Sequence, residues 1–275
     1  MRCGSARTAG PPAPHAHSTG AYSPGAPRGS RLAAPILRAF DRRRLALLRA
    51  AGVAPPARLL DAGAGRGRFV NAASAAGYEA TGIEPDPARA AAARAAGAAV
   101  QAAAIEGAAV PAGALDAVTL WHVLEHVDDP AAALARVGGW LRPGGVLLVG
   151  CPNLGSVQAR LGGARWFHLD LPRHRTHFTV TGLRRLLERE AFDVLSVHHV
   201  LLEHNPYGMW QSLVSRVTRR PSYLYNLLQR NAPLRSLDLP VTLAALPLAP
   251  VAALLELLAG LAGRGGTVAV LARRR

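Results

Sequence analysis

The stretch "LLDAGAGRGRFV", Leu59 to Val70, constrains the fold of this chain more than any other. Two leucines lead into Asp61, glycines follow at 63, 65 and 67, and Phe69 and Val70 resume the apolar pattern. An apolar run that breaks at closely spaced glycines and then resumes reads as a buried strand, a tight turn and a helix. Glycine lets the backbone turn sharply and lets a ligand approach with no Cβ in the way. In open α/β sheets, ligands lie beyond the carboxyl ends of the strands. A strand that ends in a carboxylate and turns through glycines into a helix is therefore a nucleotide-type site.

The alternation continues along the chain. "PILRAFDRRRLALLRAA" before it predicts a helix over 35–51. "YEATGIEPD" predicts a second strand ending in Glu84, "PARAAAARAAG" a helix, "AAVQAAA" a weak third strand and "LDAVTLWHV" a fourth. "DPAAALARVGGWL" predicts a helix capped by Asp129 with Pro130 in its first turn, and "RPGGVLLVGCP" a turn and a fifth strand. Beyond Pro152 come a Thr-capped helix in "TVTGLRRLLEREAF" and a sixth strand, "FDVLSVHHV". A long apolar, mostly helical segment follows, and "GGTVAVLARR" ends the pattern as a seventh strand. Strands alternating with helices imply an α/β, Rossmann-like sheet with helices on both faces. The expected division is a disordered leader over 1–30, a Rossmann-like domain over 31–200, a helical insertion over 201–263 and a closing strand over 264–275.

Composition narrows the function classes. The net charge is +15, from 32 basic and 17 acidic residues, yet every basic residue is arginine and isoleucine occurs only three times. A GC-rich bacterial genome accounts for that skew, so the charge is not read as a nucleic-acid surface. The two cysteines, Cys3 and Cys151, build neither a disulfide framework nor a cysteine-rich metal site. The first thirty residues lack the continuous apolar run of a signal peptide. A cytoplasmic chain is expected, with a place at the inner face of the membrane left open.

The ligand follows from the spacing. A dinucleotide fingerprint counted from Gly63 needs glycine at 68, where Arg68 stands. Asp61 beside a pyrophosphate would be unfavourable, whereas a ligand bearing an amino group and a sulfonium suits an acid there. These features point to S-adenosyl-L-methionine as the expected ligand. Glu84 ends the next strand, where a carboxylate can accept hydrogen bonds from two ribose hydroxyls.

"LLDAGAGRGRF", "GIEPD", "LDAVTLWHVLEHVDDPAAAL" and "LRPGGVLLVGCPN" stand in order over roughly 35–200, and with them the chain resembles class I S-adenosylmethionine-dependent methyltransferases of the type 11/23 kind. The resemblance implies a seven-stranded sheet whose last strand inserts antiparallel beside the sixth. It implies Asp61, Gly63, Gly65 and Gly67 around the methionine part, and Glu84 with Pro85 at the ribose. Ile105 with Glu106, and Trp121 with His122, would flank the adenine and methionine. One position departs from the pattern: Ala104 stands where many relatives carry an aspartate for the adenine amino group.

Three histidines are candidates for a general base: His122, and His174 and His177 in "WFHLDLPRHRTHFT". His126 is expected to orient its loop. The histidine spacing matches no standard ligand set, so no metal is expected. The expected activity is methyl transfer to a small or lipid-linked acceptor, with oxygen as the methylated atom. A nicotinamide-dependent oxidoreductase and a catalytically silent cofactor-binding module are the alternatives. Residues 201–263 are expected to form a lid over a hydrophobic acceptor or an anchor on anionic lipid. In that reading Trp210 lies in the apolar layer and Arg216, Arg219 and Arg220 lie in water.

Overall fold

The computed structural model describes residues 30–229 and 231–275, with the backbone alone for 30–33. The leader expected over 1–30 lies outside the described residues except for Ser30, where the first helix begins.

The strands are β1 (Arg58–Ala62), β2 (Glu79–Glu84), β3 (Val100–Ala102), β4 (Leu115–Trp121), β5 (Leu141–Pro152), β6 (Phe192–His198) and β7 (Thr267–Arg274). They form one sheet in the order β3-β2-β1-β4-β5-β7-β6. β1 to β5 run parallel, and β7 lies antiparallel between β5 and β6. The helices up to β6 are α1 (Ser30–Ala50), α2 (Arg68–Ala75), α3 (Pro87–Ala95), α4 (Pro130–Trp140), α5 (Val157–Gly162) and α6 (Val180–Arg189). α1 begins five residues before the expected start at Pro35, and that proline sits inside it.

Side chains alternate across the central strands, as the period of two requires. Leu147 and Val149 of β5 pack with Leu134 and Val137 of α4 and with Leu183 and Leu187 of α6. Val146 and Leu148 face the other way, toward Leu45 and Leu48 of α1 and Phe69 of α2. Both faces are therefore covered, which is why β4 and β5 read as nearly continuous apolar runs. Each fully buried leucine contributes about 1.5–3 kcal/mol. The caps are local: Asp86 accepts from Ala88 N and Arg89 N, Asp129 from Ala131 N and Ala132 N, and Thr179 from Gly182 N.

Among the described residues, four α-helices lie between β6 and β7: α7 (Asn205–Val214), α8 (Tyr223–Leu228), α9 (Asp238–Ala244) and α10 (Ala249–Leu261). A buried polar knot ties α7 and α10 to the sheet. Asn205 Oδ1 accepts from Thr267 N at 2.8 Å, and Glu256 Oε1 accepts from Gly266 N at 2.6 Å. Gln158 Oε1 accepts from Trp166 Nε1 at 2.9 Å, and its amide donates to the Asn205 carbonyl at 3.1 Å. Burial pushes the Glu256 carboxyl up to about 7.

The expectation for Trp210 is corrected here. Its ring is buried in the cluster with Met209 and Ala252, and Nε1 donates to the Ala245 carbonyl at 2.8 Å. The helix carrying it ends at Val214, so Arg216, Arg219 and Arg220 sit in the following turn rather than on a helical face. The exposed apolar stripe lies instead on α10, at Val251, Leu254, Leu255, Leu258 and Leu261, while Ala252, Glu256 and Ala259 face inward. Among the described residues no single helix is long and apolar enough to cross a membrane. Asp238–Ala244 and Leu246–Leu261 reach that length only together, bent by 41°.

Candidate active site

Asp61, Glu84 and Trp121 stand at the carboxyl ends of β1, β2 and β4, on one edge of the sheet. The parallel register sets Asp61 opposite Thr119, whose Oγ1 donates to Asp61 Oδ1 at 2.5 Å. Asp61 is only 5 % exposed. Burial pushes its carboxyl up to about 6, against the opposing pull of the Thr119 hydrogen bond and of Arg44.

The three turn glycines all have positive φ, but space constrains them differently. A Cβ at Gly63 would lie 2.3 Å from Val123 Cγ2, and one at Gly67 would lie 2.4 Å from the Ala98 Cβ. Those two glycines let the turn pack on its neighbours. At Gly65, φ is +56° and nothing lies within 4 Å of a Cβ position. The protein leaves that space open, as a ligand lying on the turn needs. Gly63 N and Ala64 N both donate to the Ile83 carbonyl, which pins the turn to β2.

Glu84 is 3 % exposed and reinforces the turn. Its Oε2 accepts from Gly65 N at 2.9 Å and its Oε1 from Asp86 N at 3.1 Å. Each carboxylate oxygen has a further lone pair, so Glu84 holds the turn and keeps acceptor capacity.

A cavity of about 670 Å³ opens over this edge. Asp61, Gly63, Trp121 and His122 line it together with His126, His168 and His174. Trp121 lies against Gly150, where a Cβ would come within 2.6 Å of the indole, and the Arg44 guanidinium sits 4.1 Å from its ring centre. Its Nε1 is buried without a hydrogen-bond partner among the described residues. Arg44 also pairs with Glu203 at 2.6 Å, and Arg68 with Asp41 at 2.5 Å, so α1 and the chain beyond β6 close that side.

His122 follows the last residue of β4 with φ 55°, a conformation an L-residue adopts at a cost. Its Nδ1 is 2.9 Å from Glu125 Oε1, and its Nε2 is buried with no hydrogen-bond partner among the described residues. Glu125 is 1 % exposed. Burial alone would raise its carboxyl, but the His122 hydrogen bond and charge, with His174 and His126, outweigh it and hold the group below the usual range. A carboxylate at Nδ1 leaves Nε2 as the ring position that can take a proton.

The remaining expected residues divide. His174 lines the cavity, and burial lowers it to about 4. Such an imidazole is a weak base at neutral pH. His177 does not line the cavity, and its Nε2 is 2.8 Å from the Leu169 carbonyl. Ile105 and Glu106 form a 3-10 turn after β3, and neither they nor Pro85 or Glu84 line the cavity. His126 Nδ1 lies 3.0 Å from the Arg173 carbonyl.

Residues 201–263 do reach the cavity, but with His204, Tyr225 and Asn226 rather than with an apolar face. Burial holds His204 and His168 well below the ordinary histidine range, so both rings are neutral. Sequence reasoning missed Glu125, although its spacing of three from His122 across a turn was a usable signal. It also missed Arg44 and His204, which only tertiary packing brings to the site.

The pattern of the methyltransferase-domain family matches residues 30–197. No curated protein matches the chain significantly. Among solved structures, a SAM-dependent methyltransferase from Archaeoglobus fulgidus superimposes with a TM-score of 0.54 at 19% identity, over 87% of this chain and 94% of that one. One from Thermotoga maritima gives 0.51 at 18% identity, over 90% and 98%. The [4+2]-cyclase SpnF gives 0.56 at 20% identity, over 85% and 80%. At such identities these structures show the shared fold alone.

Proposed function

This chain belongs to the methyltransferase-domain family, and from that premise we propose that it methylates an oxygen of a small or lipid-linked acceptor, with His122 as the general base. The observation that carries the proposal is the Glu125–His122 pair at the end of β4, on the cavity that Asp61 and the glycine turn also line. Family membership makes S-adenosylmethionine the cofactor and removes the nicotinamide alternative.

The residues present fit that cofactor. The open space at Gly65 leaves room for it on the turn. In this reading Asp61 accepts from its ammonium, Glu84 from its ribose hydroxyls, and Trp121 and His122 flank it. When bound, the cofactor supplies a methyl group on a sulfonium, already a strong donor. The protein's task is then to align the acceptor and manage one proton. Glu125 accepts from His122 Nδ1–H and fixes the ring. His122 Nε2 takes the hydroxyl proton as the O–C bond forms. Trp121, Phe167 and Tyr225 line the space and limit water around the acceptor.

The stripe of Leu254, Leu255, Leu258 and Leu261 extends the proposal to a peripheral contact with an anionic bilayer, from which a lipid-linked acceptor would enter. Contiguous exposed apolar surface of this kind marks an interaction site.

His122→Gln tests the base. Turnover of methyl-labelled cofactor against lipid and metabolite fractions should fall by about 10²–10⁴, far more than any accompanying loss of affinity for S-adenosylhomocysteine. Full activity in the variant would remove His122 from the reaction. Because a cyclase shares this fold, the labelled product also tests methyl transfer itself.

A further inference from the structure

Three side chains that carry potential ligand atoms meet beside the cavity. Glu125, His126 and His174 each bring one ligating atom, and these atoms lie within 4.8 Å of one another. What holds the rest of each group identifies the atoms. His126 Nδ1 is 3.0 Å from the Arg173 carbonyl, and His174 Nδ1 is 2.7 Å from the His168 carbonyl. A carbonyl oxygen only accepts, so each Nδ1 carries a hydrogen and Nε2 is the ring atom left to ligate a cation. Glu125 spends Oε1 on His122, and its Oε2 is buried with no hydrogen-bond partner among the described residues. Leaving such an oxygen unsatisfied beside two more acceptors is unfavourable in a buried setting. A cation relieves it.

We infer that Glu125 Oε2, His126 Nε2 and His174 Nε2 form a binding site for a divalent transition-metal cation. Two imidazoles and one carboxylate are a donor set that zinc, cobalt(II), manganese(II) and iron(II) accept, with further positions open. A cation at about 2.0–2.2 Å from each atom draws the three together by roughly an ångström, within reach of side-chain adjustment.

The supporting contacts are those a metal site needs. A ligating histidine donates its other N–H to a carbonyl or carboxylate, which fixes its tautomer and direction, and both rings do so here. Arg175 N and Thr176 N both donate to the Glu125 carbonyl, at 2.8 and 3.2 Å. These bonds join the loop carrying His174 to the turn carrying Glu125 and His126. Asp170 Oδ2 lies 3.8 Å from His174 Nε2 and is paired with Arg173 at 2.6 Å. His126 and His174 line the cavity, so the open coordination positions face the space where an acceptor would lie. The inference does not depend on the identity of that acceptor.

Calorimetric titration of the untagged, metal-free full chain with zinc chloride at pH 7.5 tests the site, alongside the visible spectrum of the chain with cobalt(II). One saturable equivalent is expected. His126→Gln and His174→Gln should each weaken it by more than the about 10–100-fold that loss of an outer-shell partner costs, with circular dichroism unchanged. Both lie at the cavity wall, and each removes one ligand while Glu125 stays paired with His122. Ring-nitrogen NMR of the zinc-loaded protein should show Nε2 of both histidines shifted and Nδ1 still protonated. Absence of saturable binding for both metals would overturn the inference. So would binding that neither substitution weakens, or a proton retained on His126 Nε2 with zinc present.

Discussion

Asp61→Asn separates the stability of the site from its function. The carboxyl is buried at the end of β1, and burial raises it from 3.8 to about 6. The folded protein thus holds the proton more tightly than the unfolded chain. The stability associated with this group is fully present below pH 3.8 and is lost as pH rises through about 6. A rise of just over two pH units at 1.36 kcal/mol each amounts to about 3 kcal/mol at neutral pH. Asparagine keeps an oxygen to accept from Thr119 Oγ1 and turns its amide to the cavity that Asp61 lines. Urea unfolding should therefore show the variant more stable than wild type by up to about 3 kcal/mol at pH 7.5, shrinking to about 1 kcal/mol near pH 4.5. Affinity for S-adenosylhomocysteine should move the other way. Losing a charged partner for the ammonium costs about 1.5–3 kcal/mol, roughly ten- to hundredfold in Kd. A variant no more stable at pH 7.5, and binding as tightly as wild type, would refute both the buried charge and its use in binding.

Gly65→Val should lose cofactor affinity with the fold intact, because its side chain enters space the protein itself leaves open; calorimetry beside circular dichroism reads both, and unchanged affinity would move the cofactor off the turn. Glu84→Gln should weaken binding nearly as much as Glu84→Ala, by about 1.5–3 kcal/mol, since its amide cannot accept from both Gly65 N and Asp86 N; wild-type affinity in both variants would sink the ribose role. Changing Leu254, Leu255, Leu258 and Leu261 to Gln should abolish flotation with anionic vesicles. Full-length protein that never floats would leave that stripe to another partner and favour a soluble acceptor.

What was legible in the sequence is what local chemistry determines. The apolar runs of β1, β4 and β5, the turn after Asp61, and the caps at Asp129 and Thr179 depend on neighbours along the chain. β3 is three residues long with two of them exposed, so its signal was weak. Trp210 sits on a helical periodicity that reads equally as interfacial or buried, and only packing against Ala252 and the Ala245 carbonyl decides it. The same limit applies at the site. Asp61 and His122 were visible because strand ends carry them. The meeting of Glu125 and His126 with His174 depends on how a distant loop folds back, and Arg44 reaches Trp121 only because α1 docks beside α2.

The most direct measurement is a crystal structure of the full chain with S-adenosylhomocysteine. The expected result places the ammonium at Asp61, the ribose hydroxyls at Glu84, and the sulfur in the cavity beside His122. A ligand bound away from the Gly63–Gly67 turn, or with its sulfur outside that cavity, would contradict the assignment of this site to methyl transfer.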